Sequence, residues 1–379
     1  MTSWSDWSQS EADRIRSAGQ WRAPRDLDIS GVEGKLSPDD RAVVQFASND
    51  YLGLTQHPEV IAAAHAALDR WGAGTGAARL VVGSRPLHSE LEVELADWKR
   101  CERAVLFPTG FAANLGVLTV LGGPGSLICS DELNHASIID AGRLARGEVA
   151  IFPHRDIARL DQILSEAPAE TRKLVVSDTV FSMDGDIADV ASLIECCAEH
   201  DALLVVDEAH AVLGPEFEDP SVVRVGTLSK TLGSLGGFVA APASITDLIV
   251  NRARSYIFTT ASTPADTAAA LTALRVLRSP EGSELRARLR NNIDLLVPHH
   301  PSPIIPVFCG GEQRALAASA ALLEMGILVP AIRPPTVAPG TSRLRVALSA
   351  AHEPAQVVTL RDALIGLGLS LEFEQGAGQ

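Results

Sequence analysis

The sequence predicts an α/β protein in which one large domain, built on a mostly parallel sheet, is followed by a smaller α+β C-terminal domain. Two observations carry this. From about Ala104, seven short apolar, β-branched runs (AVLF, SLICS, VAIF, KLVVSD, ALLVVD, SVVRVGT and GFVAAP) alternate with helical patterns. Strands covered by helices on both faces read as such continuous runs rather than as an apolar/polar alternation. After about Leu271 the pattern changes to the long helical stretch LTALRVLRSPEGSELRARLRNNIDLL, the proline-rich PHHPSPIIPV, another helix and the strand-like RLRVALS.

In chain order, residues 1–45 form an N-terminal segment, 46–270 the large domain and 271–379 the small one. After the break PTG, Phe111 to Leu121 has helical character, and Ala188 to His200 carries apolar residues at helical spacing. Strand, glycine turn and helix in succession make a cradle for a phosphate, because the first helical N–H groups lack intrahelical partners. The sequence shows no internal repeat, and its EFEQGAGQ tail is expected to fray.

Composition narrows the function. The 379 residues are 46% hydrophobic and carry a net charge of −15, which argues against a nucleic-acid surface, so any anionic substrate must be gripped by local groups. The five cysteines show no CxxC spacing, so neither a metal site nor a disulfide framework is expected, and reduced thiols are the default. The N-terminus lacks a signal-peptide layout, and no segment reaches the ~18 apolar residues of a membrane span. The reading is a soluble cytoplasmic protein.

The chemistry concentrates around ALLVVDEAH. Asp207 directly follows a buried-looking strand, His210 lies in the same turn, and Lys230 comes just after the next strand. In an open parallel sheet, ligands bind at the carboxyl ends of strands, so the three can converge on one crevice. DEAH alone also occurs in helicases, but no GxxxxGK[ST] loop is present. A carboxylate beside a lysine and a histidine is the set that pyridoxal phosphate needs: the lysine forms a Schiff base, and the acid keeps the pyridine nitrogen protonated so that the ring accepts electrons.

Over nearly its whole length the chain resembles the α-oxoamine synthase family of fold-type I pyridoxal-phosphate enzymes. The resemblance rests on FASNDYLGL (Phe46 to Leu54), FPTGFAANLGVL (Phe107 to Leu118), SDELNHASIIDAGRL (Ser130 to Leu144), VFSMDGD (Val180 to Asp186), VVDEAH, TLSK and IRPPTVAPGTSRLRVALSAAHE (Ile332 to Glu353). It implies that Lys230 tethers the cofactor, Asp207 pairs with its pyridine nitrogen, His210 donates to its ring hydroxyl, and His135 stacks on the ring and contacts substrate. By the same resemblance Gly110 and Phe111 receive the phosphate, Ser182 and Thr227 supply pocket hydroxyls, and Thr260 reaches the phosphate of the other subunit in a homodimer. Arg345 would hold an amino acid's carboxylate, with Arg333, Thr336, Asn49 and Arg22 lining the rest of the substrate site.

Within the family, RPPTV followed by GTxRLR points to the biotin branch. The implied reaction is decarboxylative condensation of L-alanine with a pimeloyl thioester, carried on coenzyme A or an acyl carrier protein. The rival is the same chemistry on glycine or serine with a different acyl-CoA. The chain departs from the pattern at Ala211, where a glycine is usual, in a shortened segment between His210 and Lys230, and near Ala78, where a hydroxyl residue is usual. These departures bear on acyl-donor preference before they bear on reaction type.

Overall fold

The computed structural model describes residues 3–371, so the C-terminal tail expected to fray lies outside the described residues. The described chain divides into two compact units: a larger one of residues 48–306 with 347–359, and a smaller one of 3–47, 307–346 and 360–371.

All seven apolar runs become strands of one sheet in the larger unit, in the order Arg103–Phe107, Gly237–Ala241, Val223–Thr227, Ala202–Asp207, Arg172–Asp178, Ser126–Asp131, Glu148–Phe152. Gly237–Ala241 runs antiparallel to both its neighbours, and the other pairings are parallel. The strands read as unbroken apolar runs because both faces are covered. Ile128, Leu174, Val176 and Val205 pack with Ala113, Val117 and Leu118 of the helix Gly110–Leu121. The alternate residues Leu127, Cys129, Val175, Leu204 and Val206 pack with Leu160, Leu164, Leu193 and Cys197 of the helices Ile157–Glu166 and Val190–Glu199. Alternation along each strand thus feeds two cores.

The stretch expected to be one long helix after Leu271 is two. The helix Pro264–Leu277 ends before Arg278 and Ser279, and Pro280 starts the helix Pro280–Leu296, because proline suits the first helical turn and not the interior. Both helices belong to the larger unit rather than to the small domain expected from residue 271. The former packs against the helices Pro58–Trp71 and Pro86–Lys99. Its buried face of Ala268, Leu271, Leu274 and Leu277 gives the reason.

The smaller unit gathers residues from both ends of the chain. It holds the helix Trp4–Ser17 and a sheet of Leu27–Ser30, Glu33–Leu36 and Arg41–Gln45, the last pairing in parallel with Ile327–Leu328. A three-stranded sheet follows the order Ile304–Gly310, Ser342–Ala347, Ala331–Ile332. The N-terminal segment is therefore part of the smaller unit. Among the described residues, no helix is long and apolar enough to cross a membrane.

Candidate active site

The carboxyl ends of the central strands of the larger unit deliver a cluster of polar side chains. Asp207 ends the strand Ala202–Asp207 and is 6% exposed. Its Oδ1 accepts from the Ala209 amide at 2.9 Å, and its Oδ2 from Asn114 Nδ2 at 2.6 Å. Asn114 is 1% exposed within the helix Gly110–Leu121, and the same Nδ2 reaches Ser137 Oγ at 2.9 Å. Ser137 Oγ meets His135 Nδ1 at 2.7 Å, and the Ser137 amide donates to that nitrogen at 3.2 Å. With Nδ1 accepting, the neutral ring carries its proton on Nε2. Desolvation lowers the His135 pKa, with Lys230 acting in the same sense and Asp207 against it.

Lys230 lies in the turn that follows the strand Val223–Thr227. Its Nζ is 2.9 Å from His210 Nε2, and His210 Nδ1 is 2.6 Å from the hydroxyl of the fully buried Tyr51. The Tyr51 hydroxyl donates to Asn49 Oδ1 at 3.0 Å. That direction places the His210 proton on Nδ1, donating to Tyr51, and turns Nε2 toward the Lys230 amine as acceptor.

Asp178, buried at the end of the neighbouring strand, accepts from the His135 amide at 2.9 Å. Burial, together with the Asp207 carboxylate, pushes its acid well above the usual carboxylate range. Asn134 locks this corner by accepting from the Asp178 amide at 2.8 Å and donating to the Val176 carbonyl at 2.8 Å.

The helix Gly110–Leu121 begins beside Thr227. Thr109 caps it, its hydroxyl accepting from the Ala112 amide at 3.0 Å, which leaves the Gly110 and Phe111 amides at the positive end of the helix. A Cβ on Gly237 would stand 2.4 Å from the Thr109 carbonyl oxygen and 2.5 Å from the Gly110 nitrogen. Only glycine lets that strand pass so close to the helix start. Thr227 Oγ1 meets Ser229 Oγ at 2.7 Å and donates to the Gly236 carbonyl at 3.0 Å, closing the turn that carries Lys230.

Of the residues expected in the site, the structure thus joins Lys230, His210 and Asn49 in one hydrogen-bonded chain and Asp207 with His135 in another. Ser182 sits half-buried in the turn between Val180 and Ile187. Thr260 is exposed and lies with Arg79, His88 and Tyr256 around a separate small pocket. Arg345 is 6% exposed in the strand Ser342–Ala347 of the smaller unit. There Arg22 donates to Thr336 Oγ1 at 3.1 Å and Arg333 to the Gly19 carbonyl, so three of the four remaining substrate candidates do come together.

Tyr51 and Asn114 were not singled out from sequence. A lone asparagine within the apolar helix run FAANLGVL was the available signal for the second.

The shortened segment after His210 has its own geometry. A cavity of about 320 Å³ is lined by Lys99, Glu208, Ala211, Phe217 and Arg224, among others, but not by Lys230, Asp207 or His210. Glu208 is buried between Lys99 Nζ at 2.9 Å and Arg224 Nη1 at 3.2 Å, and Arg224 also donates to the Phe217 carbonyl at 2.7 Å. Within DEAH the aspartate therefore faces the cluster, while the glutamate anchors the turn to the other side.

These groups suit one cofactor. Lys230 offers an amine oriented by His210, Asp207 a buried carboxylate already holding two donors, and the Gly110 helix start, tight against Thr227, an anion cradle. Fold and site together define a pyridoxal 5′-phosphate enzyme of fold type I.

The chain belongs to the aminotransferase class I and II family, which matches residues 41–364. It is similar to 8-amino-7-oxononanoate synthase of Methylobacterium sp. (strain 4-46), 47% identical over 90% of this chain and 94% of that one. The enzyme of the same name from Burkholderia thailandensis is 44% identical over 91% and 93%. Among solved structures, serine palmitoyltransferase of Sphingomonas wittichii superposes with a TM-score of 0.86 at 32% identity, covering 96% of this chain and 98% of that one. The 8-amino-7-oxononanoate synthase of Francisella tularensis gives 0.71 at 25% identity, covering 86% and 96%.

Proposed function

We propose that the chain catalyses the pyridoxal-phosphate-dependent decarboxylative condensation of L-alanine with a pimeloyl thioester, releasing 8-amino-7-oxononanoate, CO2 and the free thiol carrier, a step of biotin synthesis. One observation carries it. The Lys230–His210 pair at 2.9 Å shares the strand-end rim with Asp207, in a chain 47% identical to a curated 8-amino-7-oxononanoate synthase along nine-tenths of its length.

The bound cofactor supplies an electron sink for the α-carbon of the amino acid. The residues of the chain do the rest. Asp207, held by Asn114 and the Ala209 amide, keeps a proton on the pyridine nitrogen. Lys230 would tether the cofactor and, once the amino acid's own amine has displaced it from that bond, would take and return the α-proton as a free amine beside His210. His210, on taking a proton at Nε2 from the Lys230 ammonium 2.9 Å away, would donate to the ring hydroxyl, and His135, whose proton sits on Nε2, is the candidate donor to the thioester carbonyl. The Gly110 and Phe111 amides, Ser182 and Thr227 hold the phosphate and ring. Arg345 is assigned the amino-acid carboxylate, which a planar guanidinium fork grips better than a point charge. Asn49, Arg333, Thr336 and Arg22 take the remaining substrate contacts.

We further propose a homodimer in which Thr260 reaches the partner's phosphate. Leu80, Val81, Val82 and Phe258, between 53% and 73% exposed, offer the apolar surface that such a contact buries. The donor is coenzyme A or an acyl carrier protein, and the compartment is the cytoplasm, where the five free cysteines stay reduced.

The test is a matrix of L-alanine, glycine and L-serine against pimeloyl-, acetyl- and palmitoyl-CoA, with products identified by mass. Product only from alanine with the pimeloyl thioester supports the proposal. Product from glycine or serine with another thioester moves the chain to a sister reaction.

A further inference from the structure

His154 lies outside every group named so far, yet two carboxylates converge on it. Its Nδ1 is 3.0 Å from Asp131 Oδ1, and its Nε2 is 2.7 Å from Asp186 Oδ2. Carboxylates only accept, and a neutral imidazole has one donor, so both contacts are satisfied together only by the imidazolium. The ring stands edge-on to Phe181, with centroids 4.3 Å apart.

Each carboxylate shapes a turn. Asp131 ends the strand Ser126–Asp131 and accepts from the Leu133 amide at 2.9 Å and the Arg155 amide at 2.9 Å, which sets the turn delivering His135. Asp186 closes the Val180–Ile187 turn that carries Ser182, its carbonyl accepting from the Phe181 amide at 3.1 Å. Gly185 in that turn has φ +71°, and Ser302 Oγ donates to its carbonyl at 2.6 Å.

We propose that His154 is a positioning residue, whose imidazolium clamps the turn bearing His135 to the turn bearing Ser182 and so keeps these two side chains in register for the reaction proposed above. The neighbourhood supports a charged ring. Glu132 accepts from the His154 amide at 3.0 Å, and Arg155 Nη1 lies 3.5 Å from Asp186. Asp178 lies near Asp131 but, with its acid pushed well above the usual range, adds no charge to rely on, and His300, whose pKa burial lowers, lies near Asp186. Desolvation opposes protonation of His154, but the two carboxylates outweigh it and raise its pKa to about 9. Asp186 Oδ1 is buried without a hydrogen-bond partner, so the charge of this carboxylate rests on His154 and Arg155.

The inference relies on the proposed condensation for its kinetic arm only. The holoenzyme is compared with His154→Gln, which removes the bridging ring, with Asp186→Asn, which removes one of its two carboxylates, and with the double variant. Amide hydrogen exchange at pH 7 should quicken in peptides spanning 131–135 and 181–187 together in each variant, while the visible band of the lysine-bound cofactor persists. The kcat/KM for alanine should drop roughly ten- to a hundredfold, the scale of a small misplacement of catalytic groups. The double variant should be no worse than the poorer single one. Wild type should lose kcat/KM with a one-proton slope near pH 9, and His154→Gln should lack that limb. Unchanged exchange in one of the two turns, additive losses, or an alkaline limb retained in His154→Gln would each overturn the clamp. Absence of condensation in wild type at every pH, with coupled exchange intact, would instead sink the functional proposal and leave the clamp standing.

Discussion

Glu208→Gln tests whether the glutamate of DEAH is structural. Lys99, Glu208 and Arg224 are 8%, 9% and 5% exposed, and a buried ion pair that loses one partner typically costs about 3–5 kcal/mol, because the remaining charge stays uncompensated. Here two cations are left facing an amide, so the upper part of that range is expected, against a total stability of about 5–15 kcal/mol for an ordinary folded protein. The control is Asp247→Asn, which breaks the exposed Arg103–Asp247 pair, whose side chains are 57% and 62% exposed. Exposed pairs contribute at most about 1 kcal/mol. Urea unfolding at fixed protein and cofactor concentration should show a large drop in midpoint for Glu208→Gln and almost none for the control. Replacing all three by Glu208→Leu, Lys99→Met and Arg224→Met should restore much of the loss, since well-packed apolar groups replace a buried network at little cost. A Glu208→Gln protein of wild-type stability but without activity would refute the reasoning and make Glu208 a catalytic group.

Lys230→Ala should abolish turnover and the visible band of the lysine-bound cofactor; a variant normal in both would show that another lysine is used. Arg345→Lys keeps the charge and removes the fork, so alanine affinity should fall roughly ten- to a hundredfold, equivalent to about 1.5–3 kcal/mol, while cofactor titration stays unchanged. Burial pushes the Cys129 and Cys197 thiols up to about 12, so a disulfide reagent at pH 8 should label neither in the native protein and both after denaturation. The raised pKa of His154 stabilises the fold fully below about pH 6.5, and this contribution, on the order of 3 kcal/mol, disappears as pH rises through about 9. Unfolding free energies of wild type and His154→Gln should therefore converge above that pH, and a gap that persists at pH 10.5 would contradict the assignment.

The seven strands were legible because parallel strands with helices on both faces carry apolar residues at every position, as Leu204, Val205 and Val206 do. Lys230, Asp207 and His210 could be proposed from sequence because chemistry restricts residue type at strand ends, and the structure places Asp207 at a strand end and Lys230 within 2.9 Å of His210. The antiparallel course of Gly237–Ala241 was not, since its direction is set by partners distant in sequence. Nor was the allegiance of Pro264–Leu277, which depends on the helix Pro58–Trp71 that it meets. Asn114, Tyr51 and His154 act through side chains brought together from far along the chain, and a periodicity argument sees only near neighbours.

The place of Gly237–Ala241 in the sheet also governs when the proposed cofactor site comes into existence. Phe107 pairs with Gly237, and the helix start at Gly110 reaches Thr227 across that junction. Closing so long a loop is entropically costly, and contacts between distant segments form late. A nascent chain has already made the strand before the phosphate cradle, but it cannot complete the cradle until residues beyond Lys230 arrive. With the phosphate held at Gly110 as proposed, capture of the cofactor would report a closed sheet, and excess pyridoxal phosphate in a refolding experiment would pull the equilibrium toward chains that have finished the slowest pairing.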